Sequence, residues 1–337
     1  MNISVLGAGS WGIALAVLLS TKRNHRVCLW EFNPTDAAML KEKREHLIKL
    51  PGVRIPEDIQ ITNDIAEAVI FANSIICVVP AQTMRATMRS VYTATTHSQR
   101  RSIECWIIAS KGIEVDTLKL MSTVMCDELG RELEPAIVAL SGPSHAEEVS
   151  RNIPTTVVAA SLNSMQASYV QENFSTDTFR IYTNNDINGV ELAGSVKNVI
   201  AVAAGISDGL GFGDNTKGAI MTRGIVEMGR LGEKMGANRH TFSGLAGIGD
   251  LITTCISRHS RNRNIGELMG SGLSLSEALS RMTMVAEGVE TTKSVQALAR
   301  KFAIEMPITE AVYQTLFQGK TARDAARELM LRDFKSE

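Results

Sequence analysis

An α/β protein is predicted, with an N-terminal doubly wound domain followed by an all-helical one, and three observations predict it. Short β-rich runs alternate with helix-like stretches through the first half; several of those runs are apolar without interruption; and strand signals cease near Asp186. Alternation of this kind implies parallel strands joined by crossover helices. Uninterrupted apolar runs such as IICVV imply strands covered on both faces.

In chain order, strands are expected at ISVLG, RVCLWE, SIICVV, ECWIIAS, AIVALSG and TTVVAAS, with a loop carrying Pro51, Gly52 and Pro56 after the second unit. Beyond Asp186 the runs VIAVAAGI, IMTRGIVEMGRLGEKMG, LSEALSRM, TTKSVQALARKF and TARDAARELM read as amphipathic helices punctuated by glycine. The boundary is expected near Tyr182 to Ile187, giving domains 1–185 and 186–337, with no repeat, low-complexity segment or long linker. A length of 337 residues suits two domains of ordinary size, and an apolar fraction of 44% is enough to fill both cores.

Thirty-five basic residues stand against thirty-six acidic ones, a net charge of −1, so no global field favours nucleic acid or an anionic membrane. Any anionic ligand must be held locally. Cys28, Cys77, Cys105, Cys126 and Cys255 are scattered without a C-x-x-C pair and read as reduced core thiols of a cytoplasmic protein. No basic leader precedes ISVLG, and no later apolar stretch is expected to approach the ~18 residues of a spanning helix. The six histidines, His145 among them, lack metal-binding spacing, so no metal is expected.

At the end of the first strand, VLGAGSWG places Gly7, Gly9 and Gly12 in G-x-G-x-x-G spacing ahead of the helical run IALAVLLS. Each glycine has a mechanical reason: a tight turn at Gly7, close backbone approach to a pyrophosphate at Gly9, and helix-to-strand packing at Gly12. The helix start then offers free N–H groups to phosphate. A Rossmann-like dinucleotide-binding domain is therefore expected. Glu31, ending the second strand, has the spacing of a carboxylate that accepts hydrogen bonds from the adenosine ribose and repels a 2′-phosphate. Should NADP bind well, Lys41 or Arg44 would be the basic residue to reach that phosphate.

Residues 190–206, VELAGSVKNVIAVAAGI, set Lys197 into an apolar helical run. A buried ammonium must snorkel, find an acid or be kept for chemistry. Helical spacing places Ala193, Gly194, Ala201, Ala204 and Gly205 on the lysine's own face. These small side chains leave room for something to approach, either another helix or a ligand.

GAGSWG, Lys111-Gly112, SGPSHAEE, GSVKNVIAVAAGISDGLGFGDN, GLAGIGDL and HSRNRN occur in the order found in bacterial-type NAD(P)-dependent glycerol-3-phosphate dehydrogenases, and the resemblance covers nearly the whole chain. It implies that Lys197 is the acid/base for the carbonyl oxygen of dihydroxyacetone phosphate and that Asp250 orients its ammonium, with helix N-capping the alternative for Asp250. The same resemblance makes Lys111 a second substrate lysine that also contacts cofactor, and puts Asn198 and Thr254 in the substrate pocket. Arg261 resembles a phosphate-gripping residue that also meets cofactor, with Ser260 and Asn262 as neutral donors, while Arg258 and Arg263 are expected to be solvated. Gly142, Ser144 and Ala146 resemble positions that close over substrate and cofactor; Ser10, Trp11, Val285 and Glu287 resemble cofactor contacts. Ser144-His145 lacks the G-x-S-x-G elbow of a hydrolase.

Many relatives carry basic residues after the second strand, where this chain has Glu31-Phe32-Asn33, so NAD is favoured over NADP. The implied activity is reduction of dihydroxyacetone phosphate to sn-glycerol 3-phosphate for glycerophospholipid synthesis, by a cytoplasmic homodimer with no nucleic-acid or integral-membrane partner. A β-hydroxyacid dehydrogenase would want a carboxylate site in place of the phosphate site. A dinucleotide-binding sensor would need no proton donor.

Overall fold

The computed structural model describes residues 1–334. It divides into two compact units, Met1–Lys111 with Lys119–Glu191, and Gly112–Leu118 with Leu192–Glu337. The expected boundary after residue 185 therefore falls inside the first unit. The Gly112–Leu118 excursion into the second has no counterpart in the sequence reading; its Ile113 carbonyl accepts the buried Ser294 hydroxyl at 3.0 Å.

The first unit is an eight-stranded sheet: β1 Asn2–Leu6, β2 Arg26–Trp30, β3 Gln60–Thr62, β4 Ser74–Cys77, β5 Cys105–Ile108, β6 Ile137–Ser141, β7 Thr155–Ala160 and β8 Phe179–Asn184, in the order β3-β2-β1-β4-β5-β6-β7-β8. All six expected strands are present. The additional two escaped for physical reasons: β3 has three residues, and β8 is an edge strand whose Arg180 and Tyr182 face solvent, so neither shows a continuous apolar run. Pairing is parallel, as expected, except between β6 and β7, which run antiparallel. Their connection contains only the short helix Ala146–Val149, too little for the crossover that parallel strands require.

Ile3, Val5, Leu29, Ile76, Ile107, Val138 and Val157 fill the centre of this unit, all buried. Removing each such side chain from water contributes roughly 1.5–3 kcal/mol. The order in which successive strands are added reverses at β1/β4, and parallel register sets Leu6 opposite both Trp30 and Cys77. Gly7, Glu31 and Val78 thus emerge side by side at the carboxyl edge, where open α/β sheets bind ligands.

The second unit is helical, built on Asp214–Lys234, Arg261–Gly270, Leu275–Ser280, Glu287–Lys301, Pro307–Phe317 and Ala322–Met330 beside the greater part of Ile187–Gly209. That last helix has 23 residues and is long and apolar enough to cross a membrane, contrary to the expectation that no stretch reaches this length. Its most apolar window is 94% buried within the protein, as in a core helix. All five cysteines are buried and free, and burial pushes the thiols of Cys28, Cys77 and Cys255 up to about 12.

Candidate active site

In the sheet unit, the glycine turn is built by three different steric demands. Gly7 has φ +115°, and a Cβ there would lie 3.0 Å from the Val78 carbonyl oxygen. A Cβ on Gly12 would fall 1.8 Å from the Gly7 carbonyl oxygen, so helix Ser10–Ser20 can sit this close only without one. At Gly9 the direction of a Cβ is open for 4 Å. Gly9 is also the helix N-cap and supplies no side-chain acceptor, leaving the first-turn N–H groups for an external anion. The cradle therefore fits a dinucleotide pyrophosphate. Ser10 is buried, and the Trp11 ring stands 6.4 Å from that of Phe179.

Glu31 is buried beyond the end of β2, its Oε1 accepting from the Asn33 N–H at 3.0 Å. Its Oε2 lies 3.7 Å from Lys49 Nζ, a partner the sequence reading missed. Arg44 is elsewhere engaged: Nη1 donates to the Ile59 carbonyl at 2.7 Å, and Nε pairs with Glu57 at 3.3 Å. Farther along the carboxyl edge, Lys111 Nζ and Ser144 Oγ both donate to the Gly142 carbonyl at 3.0 Å, bringing these three expected residues together. Gly142 has φ +137°, and a Cβ would meet Val157 Cα at 2.9 Å. Ala146 is the buried first residue of its helix.

In the helical unit, Lys197 is 6% exposed and its Nζ lies 3.0 Å from Asp250 Oδ1, itself on a residue 3% exposed. The ammonium also donates to Thr254 Oγ1 at 2.6 Å, and that hydroxyl donates to the Asp250 carbonyl at 2.6 Å. Asp250 does not cap its helix; Gly249 holds the cap position, after a π-helical turn over Leu245–Gly249. Such turns are frequent at functional sites because they re-aim side chains. An ion pair so deep is costly to desolvate and is tolerated only with complementary partners such as these.

The small face of the lysine helix receives another helix toward its C-terminal end. A Cβ on Gly205 would lie 1.9 Å from the Arg263 carbonyl oxygen and one on Gly209 2.2 Å from that of Glu267. The partner helix reciprocates: a Cβ on Gly266 would lie 2.1 Å from the Val202 carbonyl oxygen and one on Gly270 2.3 Å from that of Ile206. Backbone thus packs on backbone through paired glycines four apart.

This contact positions Arg261–Gly270. Ser260 Oγ is its N-cap, accepting from the Arg263 N–H at 3.1 Å. Asn262 Nδ2 donates to Asn198 Oδ1 at 2.8 Å while its Oδ1 accepts from the Gly288 N–H at 2.8 Å. These bonds tie three helices together beside a helix N-terminus whose first-turn N–H groups suit an anion. Arg261 Nη1 donates to the Val285 carbonyl at 3.0 Å, gathering Arg261, Val285 and nearby Glu287, the first residue of its own helix. Arg258 is exposed, as expected, but Arg263 is only 17% exposed and pairs with Asp208 at 2.6 Å and Glu267 at 3.2 Å, correcting its reading as solvated.

Residues 2–167 match the model of the NAD-dependent glycerol-3-phosphate dehydrogenase N-terminus, and 186–327 match its C-terminus. Proteins called glycerol-3-phosphate dehydrogenase (NAD(P)+) from Chlorobium phaeobacteroides and Pelodictyon phaeoclathratiforme are 50% and 51% identical over 337 residues, covering 100% of this chain and 99% of theirs. The crystal structure of glycerol-3-phosphate dehydrogenase from Coxiella burnetii superposes with a TM-score of 0.90 at 36% identity, over 98% of this chain and 99% of that one.

Proposed function

The chain belongs to the NAD-dependent glycerol-3-phosphate dehydrogenase family, and we propose that its chemistry turns on the buried Lys197–Asp250 pair. It is an NAD(P)-dependent oxidoreductase interconverting dihydroxyacetone phosphate and sn-glycerol 3-phosphate. When bound at the glycine cradle, the nicotinamide cofactor supplies or accepts the hydride.

Lys197 gives a proton to the carbonyl oxygen as that oxygen gains charge, and takes it back from the alcohol in the other direction. The observation that carries this role is the 3.0 Å contact to Asp250, because it gives a lysine buried in a largely apolar helix a carboxylate partner. Thr254 fixes the ammonium's direction through its 2.6 Å bond. Lys111, Gly142 and Ser144 supply the sheet unit's substrate contacts. Asn198, Ser260, Arg261 and Asn262 supply those of the helical unit, with Arg261 as the phosphate clamp and the first turn of its helix adding backbone N–H groups. Gly7, Gly9, Ser10, Trp11, Gly12, Glu31 and Ala146, with Lys111, Arg261, Val285 and Glu287, hold the cofactor.

We assign residues 1–185 to cofactor binding and 186–337 to substrate and catalysis, in a cytoplasmic homodimer that feeds glycerophospholipid synthesis. Following cofactor absorbance with dihydroxyacetone phosphate, with NADH and NADPH in parallel, tests the activity. Oxidation dependent on that substrate is expected, and its absence with both cofactors would overturn the reading.

A further inference from the structure

Glu31 alone would exclude a cofactor bearing a 2′-phosphate, yet it does not stand alone. Lys49 Nζ lies 3.7 Å from Glu31 Oε2 and 3.4 Å from Asp36 Oδ2, a single ammonium shared between two carboxylates. The first distance exceeds that of a hydrogen bond, so the cation is held there electrostatically and is not locked to one oxygen. Its side chain is 27% exposed, enough for a flexible four-carbon stem to redirect the charge outward.

The backbone delivering Lys49 is well fixed. Leu50, Val53, Ile55 and Ile59 are buried, the Lys49 N–H donates to His46 Nδ1 at 3.2 Å, and the Gly52 N–H donates to Glu45 Oε1 at 2.8 Å. Placement of this lysine beside Glu31 therefore follows from the core packing of residues 50–59. Arg44, the obvious alternative cation, spends its guanidinium on the Pro56 and Ile59 carbonyls.

We propose that Lys49 is the specificity-determining residue that lets the site accept NADPH as well as NADH, by leaving its carboxylate partners to bind the 2′-phosphate. With NADH, Glu31 accepts from the ribose hydroxyls while Lys49 remains paired. With NADPH, the ammonium turns to the phosphate and offsets the repulsion from Glu31. Two carboxylates against one ammonium leave the trio net negative, so NADH keeps the advantage and NADPH is tolerated. The proposal rests on the reading that the ribose meets Glu31.

Fluorescence titration of the full-length protein with NADPH and NADH tests it without using activity. Charge-assisted hydrogen bonds have the strength to make Lys49→Met weaken NADPH binding by roughly tenfold to a hundredfold, with NADH changed by less than about threefold. Lys49→Arg should retain NADPH binding, and adenosine 2′,5′-bisphosphate should lose more than adenosine 5′-monophosphate when both are used as competitors. Glu31→Gln should shift the preference toward NADPH. Equal losses of both nucleotides in Lys49→Met, or no loss, would overturn the proposal. If Glu31→Gln still shifts the preference, the ribose assignment stands and Lys49 alone falls; if neither variant shifts it, the ribose assignment falls as well.

Discussion

The glycine turn of the sheet unit and the lysine site of the helical unit are built on opposite principles. Gly7, Gly9 and Gly12 lie within one turn of chain; Gly12 is constrained by the Gly7 carbonyl beside it, Gly7 by the backbone at Val78, and Gly9 faces open space. Lys197 takes its partners from Asp250 and Thr254, and its helix is seated by Arg261–Gly270, all far along the sequence. A local device fails locally, whereas an assembled one depends on every contact that holds the distant pieces in register. The difference teaches that substitutions in the turn should read out as cofactor binding, while those at the lysine site should read out as chemistry.

The largest effect expected is at the lysine. Lys197→Ala should lower kcat by roughly 10²- to 10⁴-fold, the scale of a lost general acid, while NADH affinity measured by titration stays within about twofold. A comparable loss of NADH binding would break the separation of the two regions. Near-normal turnover would return Lys197 to a purely structural role.

Next comes Arg261, the proposed phosphate clamp. Arg261→Ala should reduce kcat/KM for dihydroxyacetone phosphate by roughly tenfold to a hundredfold, given charge-assisted bonds of about 1.5–3 kcal/mol each. The weak reaction of phosphate-free dihydroxyacetone should barely change, and added phosphite should stimulate that reaction in the wild type only. Because Arg261 also anchors the Val285 carbonyl, equal losses with both substrates would mean that the variant loosens the cofactor side.

The turn itself gives a smaller, sharper contrast. Gly9→Ala places its methyl group in open space, whereas Gly12→Ala drives one to 1.8 Å from a carbonyl oxygen. Both should weaken NADH binding, on the order of tenfold, but only Gly12→Ala should destabilise the protein, by about 1–3 kcal/mol of overpacking. Melting curves with and without NADH separate the two. Equal melting temperatures for both variants would show that the helix start yields to the extra atom.

Legibility in the sequence follows the same division. G-x-G-x-x-G could be read because its spacing between a strand and a helix is local, and Glu31 could be placed at the strand end because its spacing from the turn is fixed by one βα unit. The fold of the sheet was readable wherever burial on both faces left a continuous apolar run, and failed at β8, whose exposed Arg180 and Tyr182 break that pattern. Reciprocal glycine packing of Gly205 and Gly209 on Gly266 and Gly270 was only half legible, since small residues at helical spacing fit a ligand as well as a helix. Ser260 and Asn262 show a similar ambiguity: a hydroxyl or amide near a helix start suits a cap as well as a ligand, and nothing in the sequence signals the 3.1 and 2.8 Å bonds that both make within the protein. Lys49 was missed because its approach to Glu31 depends on how residues 50–59 pack, which no periodicity encodes.

The smallest effect compares one buried carboxylate from each unit. Glu191 accepts from the Ser122 N–H at 2.9 Å and from its hydroxyl, at the start of helix Met121–Leu129. Glu227 accepts from the Ile308 and Thr309 N–H groups at 2.7 and 3.2 Å, at the start of Pro307–Phe317. Neither helix has a side-chain cap of its own, since Leu120 and Met306 occupy the cap positions. Burial pushes both carboxyls up to about 7, against the pull of those hydrogen bonds. A carboxyl raised in the folded state contributes stability that is fully present below its unfolded value near 4.5 and is lost as pH rises through about 7. Each group can therefore cost the folded state up to about 3 kcal/mol between pH 5 and 8. Glutamine keeps one oxygen acceptor and does not ionise, so it carries a constant hydrogen-bond loss without that slope. In Glu191→Gln and Glu227→Gln, the melting temperature relative to wild type should rise by a few degrees from pH 5 to pH 8, whatever its sign at pH 5. A flat difference across that range for one variant and not the other would confine the buried-acid device to a single unit; flat differences for both would mean that the hydrogen bonds hold these carboxylates ionised throughout.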